Sequence, residues 1–266
     1  MPAIPSPYSA LHRHAELAGD EPWLFRSEGL DWRWHSWGEV ARRAAAWAGH
    51  LASHPPAFRV AFPYRPSPES IALDLGIQGA GLISVPVSGE REPVAELSPP
   101  ESFSHGIPVG RIDRAGGVVV QIAGSPVELV AAEMMAAAEQ VQAEIAPARQ
   151  ADEREIVVLG GALEMPEERA MLTWATVAGA AVALEPASEL RMATAAWVRP
   201  TVFHGTVEEI AALRAWAEKT RRRRKLPFGR LRTLLVAGGE LGEEAAVFWQ
   251  AFGVKVGRVP FEASPG

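Results

Sequence analysis

The chain has 266 residues, 26 of them basic and 32 acidic, giving a formal net charge of −6; 48% are hydrophobic and none is cysteine. This profile excludes a disordered tail, a disulfide-stapled module and a zinc site built on thiolates. The acidic excess argues against nucleic acid as a partner, because phosphate binding needs clustered positive charge. No apolar run of about 18 residues exists, so no membrane span is expected. The start Met1-Pro2-Ala3-Ile4-Pro5 lacks a basic segment leading into an apolar one, so we expect a cytoplasmic protein without a secretory signal.

His12 and His14 fall on an amino-terminal helix. With no third histidine or acid at metal-site spacing, they read as solvated side chains. Trp32, Trp34 and Trp37 space like packing or subunit-contact residues near a strand and a helix start. Ser36, with Glu39 three residues on, predicts a capping box, and Val40, Ala44, Trp47 and Leu51 behind it share one helical face. His54-Pro55-Pro56 stops that helix. Residues 59–64 read as a strand, Pro68 to Ala80 as a helix with proline in its first turn, and 82–87 as a strand. Residues 88–117, rich in Pro, Gly, Ser and Glu, read mostly as loop. Val118 to Ala123 is predicted as a buried strand, followed by a long helix from about Pro126 to Ile145. Beyond Pro147, strands at 156–159, 181–184, 201–203, 231–237 and 254–257 alternate with helices at 166–178, 188–197, 207–223 and 242–252.

Short apolar strands alternating with amphipathic helices predict an α/β fold, with mostly parallel sheets flanked by helices. The loop-rich stretch divides the chain into a first lobe, 1–117, and a second, 118–266. Gly116-Gly117, Gly160-Gly161 and Gly238-Gly239 lie at or beside strand ends, and ligands bind at carboxyl ends in such sheets. None fits a dinucleotide or P-loop fingerprint, so turn chemistry is their first reading. Glu164-Met165-Pro166-Glu167-Glu168 places acids at a helix start, where they complement the macrodipole. The cations from Arg221 to Lys225 read as a solvated helix end. No Gly-x-Ser-x-Gly, His-Glu-x-x-His or Ser-x-x-Lys motif is present.

Taken as whole segments, the sequence resembles the large amino-terminal domain of the AMP-forming acyl-CoA synthetases, long-chain fatty acid–CoA ligases of the adenylate-forming superfamily. Trp32 to Val40 is similar to that family's W-x-x-x-T-W-x-E-L. Ser67-Pro68-Glu69, Leu75 to Gly81 and Val85-Pro86 are similar to its N-S-P-E and L-G-I-x-x-A-G-A-x-x-V-P segments. Glu168-Arg169 and Val198-Arg199-Pro200-Thr201-Val202-Phe203 resemble its E-R and V-R-P-T segments. Leu231 to Gly239 and Gly257 to Pro265 stand where its S-G-G loop and G-Y-G-x-T-E-T-S-P occur.

The resemblance implies ATP, magnesium and CoA as cofactors, an acyl or adenylate ligand, and a homodimer. The departures matter as much. The family's phosphate loop, Thr/Ser-Ser-Gly-Thr-Thr-Gly-x-Pro-Lys-Gly, is replaced by Ala123-Gly124-Ser125-Pro126. The only lysines are Lys219, Lys225 and Lys255, all beyond the place of the loop lysine. Arg258 replaces the adenine-stacking aromatic residue, Met165 a gate histidine and Phe261 a threonine; Glu262 stands at the magnesium-binding glutamate. With the sequence stopping at Gly266, the family's ribose-binding aspartate and lid lysine are also expected to be missing. These departures predict a non-catalytic, binding or regulatory homologue. Alternatives are one half of a split ligase needing a partner, and a structural or oligomerisation protein. The expected ligand pocket comprises Gly124, Ser125, His204, Gly205, Gly238, Gly239, Glu240 and Arg258, with Glu262 for magnesium.

Overall fold

A computed structural model describes residues 6–28, 31–53, 58–87, 116–122, 125–150, 153–160, 162–185, 190–220 and 229–259. Helix α1 (Pro7–Ala18) leads into the hairpin of β1 (Pro22–Glu28) and β2 (Asp31–Ser36), and then α2 (Trp37–Ser53). Next come β3 (Arg59–Pro63), α3 (Pro68–Gly79), β4 (Ile83–Val87), β5 (Gly117–Ile122), β6 (Ser125–Val130) and α4 (Ala131–Ile145). The remainder alternates as β7 (Ile156–Leu159), α5 (Pro166–Ala178), β8 (Ala181–Leu184), α6 (Arg191–Val198), β9 (Val202–Thr206), α7 (Val207–Thr220), β10 (Thr233–Ala237), α8 (Glu243–Gln250) and β11 (Lys255–Arg258).

Two sheets result. One has seven strands in the order β11-β10-β9-β7-β8-β1-β2; the other has four, β3-β4-β5-β6. Both are parallel except at one edge, where β1–β2 and β5–β6 pair antiparallel. The expected α/β architecture of mostly parallel sheets is therefore observed. The larger sheet takes β1 and β2 from the amino-terminal part of the chain and its other strands from beyond residue 155.

Local chemistry explains the helices. Val40, Ala44, Trp47 and Leu51 of α2 are buried together, as their spacing requires. Ser36 Oγ accepts the Glu39 N–H at 3.2 Å. The other half of the expected capping box is not made: the Glu39 carboxylate turns to Arg43 at 2.7 Å, a charge-assisted partner that outcompetes a backbone amide, and lies 3.2 Å from His35 Nδ1. Gly76 lets α3 close on α2, since a Cβ there would lie 2.6 Å from Trp47 Cβ and 2.7 Å from Ala44 O.

The stretch after β5 differs from expectation. Residues 125–130 form strand β6, paired with β5 from Ile122↔Ser125 to Gly117↔Val130, and the helix begins only at Ala131. Pro126 tolerates this because β6 is an edge strand, where a missing N–H breaks no inner ladder.

The two layers meet at a buried ion pair. Asp74 of α3 is fully buried, and its carboxylate takes Arg169 Nη1 at 2.5 Å and Nη2 at 3.1 Å from α5. Gln78 Nε2 at 2.8 Å and Ser84 Oγ at 2.5 Å complete its shell. Removing one partner of such a pair leaves an uncompensated charge in the interior. Asp74→Ala is expected to lower unfolding free energy by about 3–5 kcal/mol in urea titration. The double change Asp74→Leu with Arg169→Met is expected to cost less; a double variant no better than the single one would refute this account.

Candidate functional site

The order of the large sheet reverses between β7 and β9: from β7 the chain moves outward to β8, then returns to the other side for β9, β10 and β11. Crevices at the carboxyl ends of strands flanking such a reversal are where α/β folds bind ligands. A cavity of about 310 Å³ opens there. Its floor is the ends of β7, β9 and β10 at Gly160, His204, Gly205, Ala237 and Gly238; α5, α6 and α7 supply Glu168, Arg191 and Glu209.

Glu168 is the hub. It sits in the first turn of α5, buried, and its Oε1 accepts the Gly160 N–H at 3.2 Å and Arg191 Nη2 at 3.3 Å. The same oxygen lies 3.2 Å from His204 Nδ1. A carboxylate at that distance places the imidazole proton on Nδ1 and leaves Nε2 as an acceptor in the neutral ring. His204 is 2% exposed, and its Nε2 has no hydrogen-bond partner among the described residues.

Arg191 locks the other wall. Its Nε donates to Glu185 O at 3.2 Å and its Nη1 to Glu209 Oε2 at 2.7 Å. Glu209 is held in turn by a capping box at the start of α7: its Oε2 accepts the Thr206 N–H at 3.0 Å, and Thr206 Oγ1 accepts the Glu209 N–H at 3.3 Å. Gly160 is required where it stands, because a Cβ there would fall 1.7 Å from Arg191 Nη2.

Of the residues expected in a pocket, His204, Gly205 and Gly238 line this cavity together. Gly239 lies beside it, where a Cβ would sit 3.1 Å from Val207 Cγ2. Glu240 and Arg258, 79% and 54% exposed at their side chains, pair with each other at the surface instead, which corrects their placement in the pocket. Ser125 is likewise outside it, exposed at the tip of the β5–β6 hairpin. Gly124, Glu262 and the run 221–225 lie outside the described residues. Met165, at the position likened to a gate histidine, lines the cavity. His12 packs edge-on against Tyr8, and burial holds its imidazole below its ordinary pKa; His14 Nε2 contacts Val177 O at 3.1 Å.

Glu168, Arg191 and Glu209 are the residues that sequence reading missed as a site. The acid run 164–168 reads as a helix-start cluster, yet Glu168 turns inward. The E-R likeness at 168–169 is the one signal that singles it out.

The fit of the implied cofactors follows from the same geometry. The register Ile122↔Ser125 leaves two residues, 123 and 124, between β5 and β6, where the resemblance calls for a ten-residue phosphate loop. These residues do not fit a triphosphate. Among the described residues no group of three or more His, Asp or Glu side chains could hold a metal ion.

No protein-family model and no curated protein matches the chain. Solved structures do. The N-terminal domain of FACL13 from Mycobacterium tuberculosis, in an inhibitor-bound crystal structure, aligns with a TM-score of 0.72 at 13% identity, over 95% of this chain and 75% of that one. The nonribosomal peptide synthetase FmoA3, bound to AMPPNP, aligns with a TM-score of 0.76 at 16% identity, over 96% of this chain and 32% of that one. The chain has the fold of the large amino-terminal domain of adenylate-forming enzymes. The fatty acid AMP ligase from Legionella pneumophila adds a third example, with a TM-score of 0.70 at 14% identity, over 94% of this chain and 53% of that one. Within this adenylate-forming fold, the cavity and the shortened hairpin are features of the chain's own residues.

Gly160→Ala tests the locked wall. The added methyl must displace the Arg191 guanidinium from Glu168, with an expected stability loss of about 1–3 kcal/mol and shifted His204 imidazole resonances by NMR. An unchanged melting temperature and spectrum would mean that Arg191 is not held as described.

Proposed function

We propose that this chain is a ligand-binding protein on the adenylate-forming fold that does not adenylate. One observation carries the reading: the two-residue connection between β5 and β6 in place of a phosphate loop. Adenylation passes through a transition state with charge building on phosphate oxygens, and it is stabilised by an array of backbone N–H groups and a cation. Two residues supply too few donors, and the chain has no lysine before Lys219. Its sheet reversal holds a half-open cavity, with apolar wall residues Ala162, Met165 and Ala237 beside the Glu168–Arg191–His204 cluster. That combination of a shaped apolar surface with a few convergent polar groups is the usual make-up of a small-molecule site.

Incubation with fatty acids, ATP, magnesium and CoA is expected to yield no AMP above background, whereas an active acyl-CoA ligase under the same conditions releases it steadily. AMP release that scales with protein concentration would overturn the reading.

A specific observation also favours self-association. Strand β2 is an edge strand, so one row of its backbone groups is unpaired, and it exposes Trp34 by 53%. Beside it Trp32 stacks on Trp197, ring centroids 4.7 Å apart, and Trp197 is itself 56% exposed. We propose a homodimer through this face. Sedimentation velocity is expected to give a dimer at micromolar concentration, reduced to monomer by Trp34→Glu; a wild-type monomer there would exclude it.

A further inference from the structure

We propose that the cavity at the ends of β7, β9 and β10 binds a small organic cation, an aliphatic amine, in preference to a carboxylate or phosphate. The proposal rests on the reading of this cavity as a ligand site and names the chemistry of what it takes.

Charge is the first argument. Taken element by element, α5 brings Glu167 and Glu168, α7 brings Glu209, and α6 brings Arg191, while the strand ends bring His204 and uncharged residues. Among the described residues, three carboxylates face one guanidinium. In a partly enclosed site such a field is poorly screened, and it raises the local concentration of cations while repelling anions.

The single guanidinium cannot reverse that preference. Each of its three nitrogens is already engaged within the protein, Nε with Glu185 O, Nη1 with Glu209 and Nη2 with Glu168. An incoming carboxylate would approach it against the repulsion of the two carboxylates already paired with it. Three of its five N–H donors are spent on these bonds, and the two that remain, one on each Nη, sit beside carboxylates that already neutralise the guanidinium charge.

The second argument is independent of charge. His204 lines the cavity and is 2% exposed, and its Nε2 has no partner among the described residues. With Nδ1 held on Glu168 at 3.2 Å, Nε2 is an acceptor awaiting a donor. An ammonium group supplies three donors and no acceptor, the complement of an imidazole acceptor beside carboxylates. Ala162, Met165 and Ala237 provide the apolar wall for the attached chain.

The test compares hexylamine, which is cationic at neutral pH, with 1-hexanol, hexanoate and AMP by isothermal titration calorimetry on the full chain. Hexylamine is expected to bind at least about tenfold more tightly than hexanoate. Glu167→Gln, which removes a charge but no hydrogen bond among the described residues, is expected to weaken hexylamine about threefold and leave 1-hexanol unchanged. His204→Phe, checked for native circular dichroism, is expected to weaken hexylamine about tenfold, the loss of one hydrogen bond to a charged donor. If His204→Phe does not fold, the probe ranking and Glu167→Gln decide the matter. Hexanoate or AMP binding as tightly as hexylamine would overturn the proposal while leaving the cavity a ligand site. Hexylamine binding that neither variant alters would place it elsewhere and overturn the proposal as well. Silence from all four probes would remove both this inference and the ligand-binding reading. Neither result bears on the AMP-release assay.

Discussion

The buried pair Asp74–Arg169 is the constraint on which the remaining geometry depends. A carboxylate with no exposed surface is tolerable only when its charge is answered and its lone pairs are filled, and Arg169, Gln78 and Ser84 do both. Because Asp74 comes from α3 and Arg169 from α5, the pair fixes the helix of one sheet layer against the helix of the other. Arg169 is then anchored at its own Nε by Leu163 O at 3.3 Å, which ties down the loop leading into α5. Tyr64 lies in the same neighbourhood, and burial pushes its phenol well above its ordinary pKa.

Its neighbour in sequence faces the other way. Glu168 and Arg169 are consecutive in the first turn of α5, about 100° apart around the axis, so one side chain enters the cavity while the other crosses to α3. The position of the cavity's hub is therefore set by packing between the layers, not by the strand ends alone. The β5–β6 hairpin is tied to the same junction, since the Gln121 N–H donates to Glu164 O at 2.6 Å.

Local patterns made much of the architecture legible. For α5 and β8 the observed bounds coincide with the periodic ones, because proline opens the helix and Gly179, at φ 73°, closes it. Where pairing with a distant partner overrides local preference, the sequence misled. Val127 and Val130 suit a strand as well as a helix start, and only the presence of β5 decides between them. The site was harder still. His204 and the glycines were legible as strand-end residues, but Arg191 carries no local signal; it meets Glu168 across 23 residues and Glu209 across 18 only once the sheet order reverses between β7 and β9. Glu240 and Arg258, whose expected role came from a family position, pair with each other at the surface, where exposure and opposite charge bring them together.

A site of this kind is hard to reconcile with a scaffold that merely fills space. An inert core would be more stable with apolar side chains in place of a buried carboxylate, guanidinium and imidazole, since desolvating charges costs more than their mutual attraction returns unless every group is satisfied. Here the carboxylate and the guanidinium are satisfied, and the imidazole is satisfied on one side only. His204 lines the cavity at the strand reversal, next to the glycine that makes room for the guanidinium. On the proposed reading, a two-residue connection between β5 and β6 offers few donors to a nucleotide's phosphates, and the described lining of the cavity carries an excess of negative charge. Both features would disfavour anionic ligands and favour ligands that donate hydrogen bonds.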